Sequence, residues 1–272
     1  MVSDKRAKEE SRSIESLAAF REVKWRTGLN MDASLMLPKA LWVKNHESGI
    51  FGKTYKLLSP NDYLIAKLTG NYVTDYMNAH KWHYDTERHQ YPTGLLHEIG
   101  IAESLLPEVA APGKCIGNIG KSASVQTGLT CDTSVIISTY DAICSFVGSG
   151  VVNEGEASDV SGTVTVFRAA ASKKVDITEN KIQQIPYYEG GIHIVGGSNN
   201  MGGGLIEWVK QCYYQNENLP YERMEKDAGE ASLGAGGLIF LPYLLGERAP
   251  LWDSDARGVF FGLERMHTDR KS

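Results

Sequence analysis

Between positions 5 and 24 the run KRAKEESRSIESLAAFREVK sets Ile14, Leu17, Ala18 and Val23 against a background of charge, the pattern of a solvated amphipathic helix. A second helix is predicted over 35–46, LMLPKALWVKNH, with Pro38 in its first turn and with Leu41, Trp42 and Val43 turned inward. A third is punctuated at both ends: Ser59 offers an N-cap, Pro60 sits just inside, and Gly70 supplies the stop. Shorter β patterns follow at 71–76 (NYVTDY) and, beyond the helical TGLLHEIG, at 134–139 (SVIIST), whose length and β-branching read as a short buried strand. DAICSFVGSG then reads as a helix opened by Asp141 and closed around Gly148 or Gly150.

The character of the chain changes after Gly150. SDVSGTVTVFRAA contains two short β runs pinched at Ser161 and Gly162, and residues 192–196 form a strand leading into a glycine-rich turn and the helix GGLIEWVKQCYY. GLIFLPYLL and GVFFGL add further buried strand-like runs. The polar stretch GVVNEGE at 150–156 is the natural boundary, dividing the chain into segments 1–150 and 151–272. Helices and strands alternate on both sides, which makes the fold class α/β.

With 272 residues, 42% hydrophobic and 22% charged, the chain has enough apolar material for a sizeable core and is too rich in it to be disordered. Its net charge of −5, with bases and acids interspersed, argues against a nucleic-acid surface. The four cysteines show no C-x-x-C spacing and the histidines no H-E-x-x-H, so no metal ligands are assigned and neither structural zinc nor a redox dithiol is expected. The charged start has no apolar h-region, and the longest apolar stretch, 238–245, is interrupted by Pro242 and falls short of the ~18 residues of a membrane span. The expectation is a reduced, cytoplasmic protein with no membrane partner.

Several segments offer chemistry, each with a plainer alternative. Gly120-Lys121-Ser122 imitates the end of a Walker A loop, but Cys115 stands where that loop needs glycine, so a β excursion with small turn residues is read there. Asp141, directly after a strand and opening a helix, is either an N-cap or a general base at the carboxyl end of a strand, and the two roles are compatible. The turn from Asp159 to Thr163 is a tight hairpin whose N–H groups and hydroxyls could converge on a phosphate. Gly202, Gly203 and Gly204 would admit either a phosphate or a close-packed neighbour at the start of a helix. Glu247, Arg248, Asp253, Asp255 and Arg257 crowd one loop, as a mutually paired surface or as a carboxylate pair for glycoside cleavage without ATP.

Taken in order, PKALWVK, NDYLIAKLTGNYVTDYMNA, LLPEV, TYDAICSFVGSG, SGTVTVF, GGGLIEWVK and GERAPLWDSDARGVFFGL resemble the FGGY family of carbohydrate kinases, which includes xylulokinases, gluconokinases and glycerol kinases. The last segment is the most specific, and the resemblance runs from Ser3 to Arg265. It implies two partial ribonuclease-H-like domains, as in actin, with mixed sheets flanked by helices and with ATP and Mg²⁺ between them. The implied activity is ATP-dependent phosphorylation of a small-molecule sugar or polyol. Residue by residue, the resemblance implies that Asp141 is the catalytic base and that Asp4 and Arg6 join it at the sugar. It likewise makes Ser161, Gly162 and Thr163 a phosphate turn, with Gly203 and Glu207 on the nucleotide side. No D-x-G-T segment and no second glycine-rich adenosine segment occur, so the expectation is the central portion of such a kinase, inactive alone and prone to form homo-oligomers. The alternative is a non-catalytic actin-like fragment that binds sugar, nucleotide or a partner chain.

Overall fold

The computed structural model describes residues 4, 6–173, 182–186, 192–253 and 255–267. They form two compact units: the described residues of 1–150, 171–175 and 184–194 make the first, and those of 151–170, 176–183 and 195–272 the second.

The first unit opens with α1 (Lys8–Ser16) and α2 (Ala18–Thr27) in place of the single helix predicted over 5–24. The break is Leu17, which is extended (φ −72°, ψ 139°). Its cause lies in the core. At 100° per residue, Ile14 and Phe20 would sit about 120° apart on one continuous helix. The extended residue lets both be buried almost completely, while Ala18, predicted to face inward, is exposed. Then follow α3 (Met36–His46), α4 (Ser48–Phe51), α5 (Pro60–Thr69), β1 (Val73–Asp75), α6 (Tyr76–His80) and α7 (Thr93–Glu98). The unit continues with β2 (Glu108–Ala110), β3 (Cys115–Asn118), α8 (Lys121–Thr127), β4 (Ser134–Ile136) and α9 (Asp141–Gly148). The third predicted helix forms as its punctuation dictates. Ser59 and Asp62 complete a reciprocal capping box, Pro60 occupies the first turn, and Gly70 stops the helix at φ +83°.

The main core packs Ile14, Phe20, Leu37, Leu41, Trp82 and Leu95 among others, whereas Trp42 and Val43, predicted inward, stay half-buried. A smaller cluster joins Ile65, Val73, Ala110 and Ile137. β1 and β2 pair in parallel, with Asp75 opposite Ala110, and β3 and β4 pair antiparallel with an irregularity between Cys115 and Gly117. The strand predicted over 134–139 is shorter than its pattern suggests and is not buried. As one member of a two-stranded ladder, β4 leaves Ser134 and Ile136 exposed, and Ile137 just beyond it reaches the core. The Walker-like segment is β3 followed by α8, whose N-cap Gly120 gives its N–H to the Leu68 carbonyl at 2.8 Å.

The second unit begins with the hairpin β5 (Ala157–Ser161) and β6 (Thr165–Ala171), in register from Ala157 opposite Ala169 to Ser161 opposite Thr165. β7 (Gln183–Pro186) and β8 (His193–Ser198) join it in a four-stranded sheet of order β5-β6-β8-β7, in which 184–186 and 193–194 are residues of the first unit. α10 (Gly203–Tyr213) and α11 (Pro220–Glu230) follow, tied by Asp227, which accepts from Tyr214 Oη at 3.1 Å and pairs with Arg223 at 3.0 Å. The runs predicted as buried strands become β9 (Ile239–Leu241) and β10 (Val259–Phe261), a two-stranded ladder that is largely exposed. Such a ladder has few neighbours to bury it: Phe240 stacks on Phe260 at 4.3 Å and on Trp208 at 5.9 Å, while Ile239 and Phe261 face outward. No helix of the described residues is long and apolar enough to cross a membrane.

His83 supplies a test of the first core. It is fully buried, edge-on to Phe20 at 5.4 Å, and burial with the neighbouring His80 pushes its pKa from 6.5 down to about 3. Below pH 6.5 the unfolded chain therefore binds a proton that the folded chain refuses, and folding stability falls as pH drops toward 3. The slope approaches about 1.4 kcal/mol per pH unit. Urea unfolding between pH 7 and pH 4 should show a shallower loss for His83→Asn than for the native protein. Parallel curves would contradict the assignment.

Candidate functional site

Beyond Ile137 the chain passes through Ser138, Thr139 and Tyr140 before α9 begins. Two contacts fix this path. Thr139 Oγ1 meets Met77 Sδ at 3.4 Å, and Cys144 Sγ meets the Thr139 carbonyl at 3.6 Å. Ile143 and Phe146 are buried and anchor the helix. The N-cap position falls to Tyr140, so Asp141 is the first helical residue rather than the cap expected on the plainer reading. Its Oδ1 accepts the Ala142 N–H at 2.8 Å, and the carboxylate is exposed at the positive end of the helix dipole.

Beside it lies a group that sequence reasoning missed. Lys81 places Nζ 3.5 Å above the Tyr140 ring and donates to Asn78 Oδ1 at 2.9 Å. Asn78 in turn donates to Asp75 Oδ2 at 2.6 Å, and Asp75 Oδ1 caps α6 by accepting from the N–H groups of Met77 and Asn78. Burial pushes the Lys81 ammonium's pKa down, opposed by the negative charges of Asp75, Asp141 and Asp62. Burial likewise pushes the Asp62 carboxyl up, against the hydrogen bond that it accepts from the Ser59 N–H. A lysine one residue past a five-residue helix carries no spacing signature, which is why only the geometry reveals it.

Asp4 and Arg6 lock onto each other. Arg6 donates to both carboxylate oxygens, Nε at 3.0 Å and Nη2 at 2.8 Å, and its backbone N–H adds a third bond at 3.2 Å. These bonds hold the Asp4 carboxyl well below the usual carboxylate range. The guanidinium lies 4.4 Å over the Trp42 ring. Among the described residues no hydrogen bond joins this pair to Asp141.

In the second unit the turn between β5 and β6 meets the start of α10. Gly202 and Gly204 give their N–H groups to the Thr163 carbonyl at 2.9 and 3.2 Å, and Gly203 gives its own to the Gly162 carbonyl at 2.7 Å. The close packing read for these glycines is present, and their amides are bonded to the turn. Ser161, Gly162 and Thr163 themselves are exposed, with Ser161 Oγ within 3.3 Å of Asp159 Oδ1. Glu207, one turn into α10, accepts from Lys210 and Tyr221, which holds its carboxyl low. Glu247 departs from the predicted surface loop: it is buried, and its Oε1 accepts the N–H groups of Asn200 at 3.1 Å and Arg248 at 2.6 Å. Its backbone pairs with that of Asp253 in both directions.

The sequence matches the N-terminal domain of the FGGY family of carbohydrate kinases over residues 1–148 and its C-terminal domain over 157–271. It is 28% identical to a xylulose kinase of Staphylococcus xylosus over 98% of this chain and 55% of that protein. Against a gluconokinase of Bacillus subtilis it is 28% identical over 97% of this chain and 53% of that one. Among solved structures, the ligand-bound xylulose kinase from Lactobacillus acidophilus superposes with a TM-score of 0.89 at 29% identity, covering 98% of this chain and 54% of the other. Gluconate kinase from the same organism gives 0.87 at 29%, over 97% and 54%. The chain thus spans about half the length of the relatives it matches.

The packing of the turn against α10 is testable at Gly202. A Cβ there would stand 2.6 Å from Thr165 Oγ1, 2.8 Å from the Val164 carbonyl carbon and 2.9 Å from the Gly162 oxygen. Two of these are backbone atoms, so the turn must shift. Gly202→Ala should destabilise the protein by about 2 kcal/mol in urea unfolding. A change below about 0.5 kcal/mol, ordinary for a surface site, would contradict the packing described.

Proposed function

Because the chain belongs to the FGGY family of carbohydrate kinases, we propose that it acts in ATP-dependent phosphorylation of a sugar or polyol hydroxyl, with Asp141 as the catalytic base. The observation that carries this reading is an exposed carboxylate at the first turn of α9 with a half-buried ammonium beside it. The names of the relatives, xylulose kinase and gluconokinase, favour a small ketose or sugar acid as acceptor.

In this mechanism the acceptor hydroxyl gives its proton to the free oxygen of Asp141 as its own oxygen bonds to the γ-phosphorus, and the bond to ADP breaks. Asp4 and Arg6 hold the sugar side, pre-organised by their mutual ion pair, so little ordering remains to be done on binding. The hydroxyls of Ser161 and Thr163 and the bare backbone at Gly162 face the phosphates. Gly203 sets that turn against α10, and Glu207 stands on the nucleotide side through its pair with Lys210. Among the described residues no group of three or more His, Cys, Asp or Glu is placed to hold a metal ion. Mg²⁺ entering with the phosphate oxygens of ATP would neutralise charge on the transferring group.

Two measurements test the reading. Asp141→Asn keeps an oxygen for the Ala142 N–H but removes the base. In a complete kinase that carries this segment, sugar-dependent ADP release should fall by roughly 10²- to 10⁴-fold with unfolding unchanged, and undiminished release would sink the assignment. A Cβ at Gly162 meets only the Val164 oxygen, at 3.9 Å, so the branch point of Gly162→Val enters without a clash. Calorimetry should then show ATP affinity reduced about tenfold or more with sugar affinity unaltered, since the side chain blocks backbone approach. Equal loss of both would count against a phosphate at this turn.

A further inference from the structure

An ammonium carries three donors, and at Lys81 the described residues supply one hydrogen-bond acceptor, Asn78 Oδ1, and one ring face, that of Tyr140. The side chain is half-buried, so water replaces the missing acceptors only in part. Holding a cation in such a place is unfavourable unless something repays the lost hydration. The carboxylates that attract it are Asp75 at the end of β1, Asp141 in α9 and Asp62 in α5. None of them takes a hydrogen bond from it, since its one acceptor is the Asn78 amide oxygen. Asn78 is itself fixed by the buried Asp75, so the ammonium is aimed rather than free to wander. The ring beneath it belongs to the residue immediately before Asp141.

We propose that Lys81 is a further sugar-binding residue, donating from its ammonium to a substrate oxygen next to the hydroxyl that Asp141 deprotonates. This rests on the reading of Asp141 as the base. A charged donor with unfilled bonds favours an oxygen richer in negative charge than an alcohol, which means the carbonyl of a ketose or the carboxylate of a sugar acid. D-Xylulose presents the first and D-gluconate the second, while glycerol presents neither.

Calorimetry on the chain with these three probes and with ATP tests the proposal, using Lys81→Met, Lys81→Arg and Asp141→Asn. Lys81→Met should weaken binding of D-xylulose or D-gluconate, whichever binds the native chain better, by tenfold or more. Glycerol and ATP affinities should change less than twofold, and Lys81→Arg should restore most of the loss. The proposal is overturned by Lys81→Met binding the preferred probe within twofold of the native chain, or by a native chain that binds neither probe. It is also overturned if both lysine variants lose sugar and ATP together with a lowered unfolding midpoint, which would mark Lys81 as a structural residue. Asp141→Asn separates the two ideas: sugar binding retained with ADP release intact rejects Asp141 as base while leaving the lysine result to stand on its own readout.

Discussion

A buried carboxylate organises the approach to α9 in this protein. Asp75 closes β1, caps α6 through two backbone N–H groups, and orients Asn78 by a side-chain hydrogen bond. Asn78 then holds Lys81, and Lys81 lies against Tyr140 at the entrance to α9. Each link constrains the next. The hydrogen bonds that Asp75 accepts replace the water its carboxyl group has lost on burial. The site is thus built from the core outward, with the exposed Asp141 at the end of a chain of interactions that begins at the parallel pairing of β1 and β2.

The second unit solves its positioning problem by backbone packing rather than by charge. Three consecutive glycines let the start of α10 approach the β5–β6 turn so closely that a single methyl at Gly202 would overlap backbone atoms. The turn carbonyls take the helix-start amides, which rigidifies the turn and leaves its outer edge, Ser161 to Thr163, exposed. Glu247 extends this frame from the other side. Its buried carboxylate reads the Asn200 N–H just before the glycines, joining the loop at 246–253 to the α10 entrance.

Local chemistry was legible in the sequence wherever it was self-contained. Ser59, Pro60 and Gly70 mark their helix because capping and left-handed termination act within a few residues. α9 was legible in its bounds, although Tyr140 and not Asp141 holds its N-cap position, and the ordered motifs carried the family. The break at Leu17 was not, since it serves the joint burial of Ile14 and Phe20, a demand of the core and not of the local pattern. Strands β4, β9 and β10 read as buried because β-branched and aromatic runs look alike whether a ladder is covered on both faces or on one. Lys81 and Glu247 were illegible as partners: one meets Tyr140 and the other Asn200, both far away along the chain.

The claim on which the rest depends is that Asp75 and Lys81 belong to one interacting set. A double-mutant cycle with Asp75→Asn and Lys81→Met, followed by urea unfolding, measures it directly. Residues coupled through a shared partner should show an interaction energy of about 0.5–3 kcal/mol, with the second substitution less damaging once the first is present. Losses that add to within about 0.3 kcal/mol would show that the buried carboxylate and the ammonium act independently, and the account of the site would fail at its first link.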